Sequence, residues 1–223
     1  MLPLTLGASA RAPLSILCVG THADDIEIGC GGTLLTLLEE RPAVRVHWVV
    51  MSGHGARAGE ARRSARRILR GARAATVQIE DFRDGFLPYE GAAVKEVFER
   101  LKPLNPDVIF THFRHDLHQD HRVVCDLTWN TFRDHTVLEY EVPKYDGDLA
   151  HPNIFVPISD RIRRRKIRLL MSAFPSQSRK RWYSPATFEG LMRIRGIECA
   201  APDGYAEAFH GRKLVMRLAP VAR

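Results

Sequence analysis

The segment His22-Ala23-Asp24-Asp25-Ile26-Glu27 packs an imidazole and three carboxylates into consecutive positions. These are the side chains from which a hydrolytic metal centre is built. A mononuclear zinc site takes three protein ligands from His, Asp or Glu and keeps one position open. It also needs a base beside that open position which is not itself a ligand. His22 and one aspartate can bind metal while the neighbouring aspartate serves as base, because adjacent residues in a turn point different ways. The alternative is structural: the aspartates cap the helix that follows by accepting its free amides. A second cluster, Thr111-His112-Phe113-Arg114-His115-Asp116-Leu117-His118-Gln119-Asp120-His121, repeats histidine at 112, 115, 118 and 121. Three-residue spacing would nearly align these rings on a helix, but the apolar run into Thr111 reads as a strand. His112 and His115 are therefore expected in a loop, and His121 at the start of a helix.

The elements that must position these groups follow from hydrophobic patterning. Ser15 to Gly20, Val44 to Met51, Thr76 to Glu80 and Asp107 to Thr111 read as strands. Helical patterns run from Gly31 through about Glu40, from Glu60 to Arg70, from Ala92 to Leu101 and from Gln119 to Phe132. The alternation predicts an α/β fold: a Rossmann-like parallel sheet with helices on both faces. Ligands in such sheets bind at the carboxyl ends of the strands. Both chemical clusters directly follow strands, so they should meet at one edge of the sheet. After Tyr140 the pattern weakens among prolines at 143, 152, 157, 175, 185 and 202. A helix is expected from Ser159 to Ser172 and a final strand from Lys213 to Leu218. The chain 1–223 reads as a single domain, with a core of about 14–135 and an irregular C-terminal extension of about 140–223. Met1 to Pro13 reads as a loose lead-in, not a secretory signal.

Composition narrows the function classes. Apolar residues at 45% and charged residues at 26% of 223 exclude wholesale disorder, collagen-like repeats and a disulfide-stapled miniprotein. No uninterrupted apolar run is long enough to span a membrane. Cys18, Cys30, Cys125 and Cys199 are scattered without a Cys-x-x-Cys pair, which suits free thiols in a reducing, cytoplasmic setting and argues against a thiolate zinc site. The net charge of +7 admits nucleic acid, an anionic membrane face or an acidic small substrate as partners. Its arginines cluster between Arg57 and Arg73 and between Arg161 and Arg181, where solvated helix faces are the default reading. No recognised nucleic-acid motif accompanies the charge, so nucleic acid is not expected. Gly29-Cys30-Gly31-Gly32 does not fit a dinucleotide turn, and the acids before it would repel pyrophosphate. No Gly-x-Ser-x-Gly elbow is present. A metal-dependent hydrolase of a phosphoester remains as a rival, with Arg57 and the basic clusters holding phosphate. A non-catalytic basic binding protein is the other.

Together the two clusters are more specific than either alone. His22-x-Asp24-Asp25-x-Glu27-x-Gly29-x-Gly31-Gly32, followed by Asp116-x-His118-x-Asp120-His121, resembles the LmbE-like (PIG-L) zinc-dependent N-deacetylases. The resemblance covers Ser15 to Val124 well and extends more weakly to Tyr205-Ala206-Glu207-Ala208-Phe209. Enzymes of this family hydrolyse N-acetyl groups from glucosamine-containing molecules. The resemblance implies His22, Asp25 and His121 as zinc ligands, one ion per chain, and Asp24 as general base. It implies His118 as oxyanion stabiliser or acid, Arg57 as a group reaching into the substrate pocket and Asp84 as a contact to sugar hydroxyls. Glu27, Glu60, Asp116 and Asp120 would form the layer that orients these groups. Ala23 departs from the family's usual proline, which contributes no ligand. Two histidines and one aspartate also suit iron(II) or cobalt(II). The partner expected is an amino-sugar substrate, free or lipid- or nucleotide-linked, with a homo-oligomer left open. Ser176-Gln177 and Trp182 are weaker candidates for the pocket wall.

Overall fold

Leu14, Ile16 and Cys18 of strand β1 (Leu14–His22) enter one hydrophobic layer, and Leu17 and Val19 enter the other. This alternation with period two makes β1 the centre of a sheet covered on both faces. A computed structural model describes residues 3–6 and 12–215. Its strands are β1, β2 (Val44–Ser52), β3 (Ala74–Ile79), β4 (Val108–His112), β5 (Thr136–Tyr140), β6 (Ile154–Pro157) and β7 (Ala206–His210). They form one sheet in the order β3-β2-β1-β4-β5-β7-β6. The first five pair in parallel. The last two pair antiparallel. The sheet is thus mostly parallel, a refinement of the all-parallel expectation.

Helices α1 (Asp25–Glu40), α2 (Ala56–Ile68), α5 (Asp160–Ala173) and α6 (Pro185–Glu198) contribute to one layer. Helices α3 (Gly91–Leu101) and α4 (Gln119–Thr131) contribute to the other. The chain leaves β1 toward β2 on one side and returns to β4 on the other. The ends of β1 and β4 therefore flank the point where strand order reverses, the place where open α/β sheets bind ligands.

Several boundaries differ from the pattern-based reading for physical reasons. β1 runs on to His22, and α1 begins at Asp25, ahead of the expected start at Gly31, and takes in Gly29, Gly31 and Gly32. Glycine lowers helix propensity by about 1 kcal/mol per residue, which hides the first turns of α1 from sequence pattern. Packing explains two of the three. A Cβ at Gly29 would fall 2.2 Å from the Tyr140 ring, and one at Gly32 would fall 2.8 Å from a Glu207 carboxylate oxygen. Gly29→Ala is expected to destabilise the protein by about 1–3 kcal/mol through overpacking. Chemical denaturation measures this, and an unchanged midpoint would contradict it.

The C-terminal third is more regular than expected, holding β6, α5, α6 and β7. The strand expected from Lys213 to Leu218 is absent over 213–215, and 216–218 lie outside the described residues, as do 1–2 and 7–11 of the lead-in. Its place is taken by β7, whose Glu207 reaches α1. There Glu207 Oε1 and Oε2 accept the Gly32 and Thr33 N–H groups, each at 2.7 Å. Lys166 Nζ of α5 donates to Ile28 O at 2.6 Å and pairs with Glu207 Oε1 at 2.6 Å. Ile28 O and Gly32 N–H are the two ends of one i→i−4 helical bond. A buried ion pair thus engages both, tying β7 and α5 to the middle of the glycine-rich helix.

Candidate metal centre and cleft

The first ligand candidate is placed by the end of β1, the second by the first residue of α1 and the third by the first turn of α4. His22 Nδ1 and His121 Nε2 lie 3.1 Å apart. Asp25 Oδ2 lies 3.3 Å from the first and 3.5 Å from the second. Ligands at 2.0–2.2 Å from a tetrahedral ion are separated by about 3.3 Å, so the three atoms are spaced as one ion would space them. The outer ring nitrogens are already committed. His121 Nδ1 donates to Asp116 Oδ2 at 2.9 Å and His22 Nε2 to Asp84 Oδ1 at 3.0 Å. Those bonds fix the tautomers and leave two imidazole lone pairs and a carboxylate oxygen converging on one point. Such a convergence repels itself unless a cation sits in it.

In the metal-free chain a proton meets this need. Burial alone would lower His22, but Asp25 and Asp84 outweigh it and hold the ring at about 10. His121 is pushed down to about 3, first by burial and then by His112. Burial would raise Asp25, yet the three histidines around it hold its carboxyl well below the usual range. The donor set fits a divalent ion of borderline softness such as zinc.

Asp24 does not cap α1, although it occupies the N-cap position. Its Oδ1 accepts from Arg57 Nη2 at 2.7 Å, while Oδ2 is buried with no partner. Burial raises its carboxyl above the ordinary value and Arg57 opposes the rise. His118 is the N-cap of α4, and its Nδ1 accepts the Asp120 N–H at 3.3 Å. In the neutral ring that leaves the proton on Nε2. Burial and the neighbouring His22 lower His118, favouring that neutral form.

The residues expected to orient the centre divide. Asp116 holds His121 and is itself held by Lys144 Nζ at 2.9 Å. Asp84 holds His22 at 3.0 Å, with Arg57 Nη1 3.7 Å from its other oxygen. Asp120 Oδ2 accepts the Gly85 N–H at 2.7 Å and lies 3.9 Å from His22 Nε2, so it mainly anchors the loop that carries Asp84. Glu60 touches none of the histidines. Its carboxylate takes the Ser176 N–H at 3.0 Å and the Ser176 hydroxyl at 2.5 Å, fastening α2 to the turn after α5. Glu27 is buried, and burial raises its carboxyl well above the ordinary value, with Ser64 alongside.

Sequence reasoning misplaced His112. It is the last residue of β4, not a loop residue, and is fully buried. Its Nε2 accepts the Thr21 N–H at 3.0 Å and lies 3.3 Å from both Asp25 Oδ2 and the Tyr140 hydroxyl. The signal was available, since His112 follows an apolar run whose strand neighbours β1. Lys144 gave no such signal, because it lies in the irregular segment between β5 and β6. His115, by contrast, lies in the loop as expected.

The centre opens into a cleft of about 390 Å³, within the size range of small-molecule sites. His22, Asp24, Asp25, Arg57, Asp84, His118 and His121 line it from the first part of the chain. Val142, Lys144, Tyr145, Asp146, Gln177, Lys180 and Trp182 line it from the later part. Ser176 itself serves the wall by accepting a Gln177 amide hydrogen at 3.0 Å. Tyr183, beside Trp182, is buried and donates to Leu170 O at 3.0 Å, so this stretch is a packed wall and not a free loop.

A family model described as PIG-L, GlcNAc-PI de-N-acetylase, matches residues 17–132. No curated protein matches the chain. Among solved structures the chain is similar to the conserved protein TT1542 from Thermus thermophilus, at 21% identity and a TM-score of 0.72 over 94% of this chain and 99% of that one. It is also similar to the N,N'-diacetylchitobiose deacetylase from Pyrococcus horikoshii, solved with an inhibitor, at 23% identity and 0.67 over 88% and 82%. GalB, the 4-carboxy-2-hydroxymuconate hydratase from Pseudomonas putida KT2440, is similar at 17% identity and 0.73 over 92% and 100%. A deacetylase and a hydratase share this fold, so the fold by itself does not choose the reaction.

Proposed function

The chain belongs to the PIG-L (GlcNAc-PI de-N-acetylase) family, and from that premise we propose that it is a zinc-dependent N-deacetylase. It hydrolyses the N-acetyl amide of a hexosamine-containing substrate to acetate and a free amine. The observation that carries the reading is the convergence of His22 Nδ1, His121 Nε2 and Asp25 Oδ2 on one point beside the unpartnered Asp24 Oδ2. His22, Asp25 and His121 would hold the ion. When bound, it supplies Lewis acidity that acidifies a water and polarises a carbonyl.

The chain's own residues do the rest. Asp24 Oδ2 is the free acceptor, and it takes a proton from the attacking water. Arg57 occupies Oδ1 and so fixes which oxygen acts. As the C–N bond breaks, the proton on Asp24 passes to the leaving nitrogen, which departs as a neutral amine. His118, with its proton on Nε2, donates to the oxygen that gains charge on the amide carbon. Asp116 and Lys144 hold His121, and Asp84 holds His22, so Asp84 serves the ligand in addition to any contact with sugar hydroxyls.

Trp182 offers a flat apolar face on which a sugar ring can stack. Trp182→Ala is expected to raise KM about tenfold with little change in kcat, the mark of uniform binding. An unchanged KM for every substrate processed would remove the wall from recognition.

No helix among the described residues is long and apolar enough to cross a membrane. The four cysteines are free thiols, which fits a cytoplasmic enzyme. The deciding measurement is metal content together with amine release from N-acetylglucosamine derivatives. The expected result is one zinc per chain, amine release lost on chelation and restored by zinc, and no phosphate release from model phosphoesters. Phosphate release without amine release would overturn the reading.

A further inference from the structure

Away from the cleft, four arginines face one recess. Arg67 of α2, Arg70 of the turn after it, and Arg165 and Arg168 of α5 line a cavity of about 240 Å³ together with Leu169 and Ser172. Arg67 lies ten residues beyond Arg57 on the same helix, roughly 15 Å along its axis, so the recess is remote from the metal centre. Its charge is poorly balanced. Arg67 Nη1 donates only to the neutral Ser172 hydroxyl at 3.1 Å. Arg165 pairs with Glu39 at 2.9 Å, but Arg161 shares that same carboxylate. Arg70 and Arg168 have no hydrogen-bond or ion-pair partner among the described residues.

Like charges gathered around a concavity repel one another, and dissolved salt screens them effectively only beyond about 8 Å at physiological ionic strength. We propose that this recess is a binding site for a soluble condensed phosphate, either pyrophosphate or the diphosphate of a nucleotide. Guanidinium forks match the paired oxygens of phosphate groups and bind them bidentately, which a point-charge ammonium does not. All four cations are arginine. Two come from α2 and its following turn and two from α5, so a single diphosphate would bridge the two helices.

The surroundings argue against larger anionic partners. None of the exposed large hydrophobic residues lies on α2 or α5. A helix that settles on a lipid surface buries such residues in it. No aromatic side chain lines the recess on which a nucleobase could stack. The phosphates alone are therefore what the recess reads.

Calorimetric titration of the full-length metal-loaded protein with pyrophosphate, ADP and adenosine at about 0.15 M salt tests this. The expected result is saturable one-site binding of pyrophosphate and ADP, with none for adenosine. R70A/R168A should weaken both ligands at least about tenfold, a change typical of losing bidentate phosphate contacts. R62A/R66A removes the same charge from α2 outside the recess and should leave affinity within about twofold. Both pairs keep the same metal centre, so pyrophosphate binding to the ion cancels between them. Arg70 and Arg168 are exposed and unpartnered, and equal unfolding midpoints of the ligand-free variants check that they fold. R70K/R168K keeps the charge and should still lose affinity. No saturable binding, equal weakening by the two alanine pairs, full affinity in the lysine pair, or binding of ADP without pyrophosphate would each overturn the site.

Discussion

Asp24→Asn is expected to lower kcat about a thousandfold while metal content stays at one ion per chain. The substitution keeps the shape of the side chain and removes its ability to hold a proton. The proposed ligands are His22, Asp25 and His121, none of which Asp24 contacts through a side-chain hydrogen bond. Arg57 would retain an oxygen to bond to at the site where it now meets Oδ1. Loss of a base acting only in the transition state lowers kcat and kcat/KM together. If Asp24→Asn lost its metal, Asp24 would be a ligand and not a base. If it kept more than about a tenth of the activity, water or His118 would be the proton acceptor.

Glu207→Ala carries the largest expected effect on stability, a loss of about 3–5 kcal/mol. Glu207 and Lys166 are both almost wholly buried. Removing the carboxylate strands the Lys166 ammonium with Ile28 O alone and takes an acceptor from the Gly32 and Thr33 amides. An uncompensated buried charge is the costly outcome, far more than the loss of a surface pair. The double variant K166M/E207Q should recover much of the loss, because no charge is then left unpaired. Urea denaturation of the three proteins measures it. A Glu207→Ala midpoint within about 1 kcal/mol of wild type would mean that water reaches the pair.

Sequence pattern carried the sheet and its switch point because β1, β2 and β4 are apolar on both faces and the helices between them are punctuated by Gly71 and Pro103. The family resemblance proposed His22, Asp25 and His121 as a metal set, and the fold brings the three together because they follow strands that lie side by side. Sequence pattern failed where tertiary partners override local propensity. The helix was expected only from Gly31, and its earlier start at Asp25 becomes legible once Tyr140 and Glu207 are seen filling the space beside Gly29 and Gly32. His112 read as a loop residue because a polar histidine ends the apolar run of β4, and only the neighbouring β1 makes it interior. Lys144 was invisible because its work depends on Asp116 and Asp148, brought to it by folding. Glu60 was assigned to the layer around the centre through the family resemblance, whereas its partner Ser176 lies in a different part of the chain.

The lining of the cleft comes from two separate stretches of the polypeptide. One set of lining residues, which includes His22, Asp25 and His121, precedes position 122, and the other follows position 141. The matched family segment ends between them, at residue 132. A protein divided in this way can change what it accepts without rebuilding what it does. Substitutions at Val142, Tyr145, Asp146 and Lys180 can reshape the receiving surface, whereas Lys144 and Lys166 in the same stretch must stay, because they hold Asp116 and Glu207. For an engineer this makes those four lining positions the natural ones to randomise. The limit is Glu207, since any graft that displaces β7 also loosens the helix that begins with Asp25.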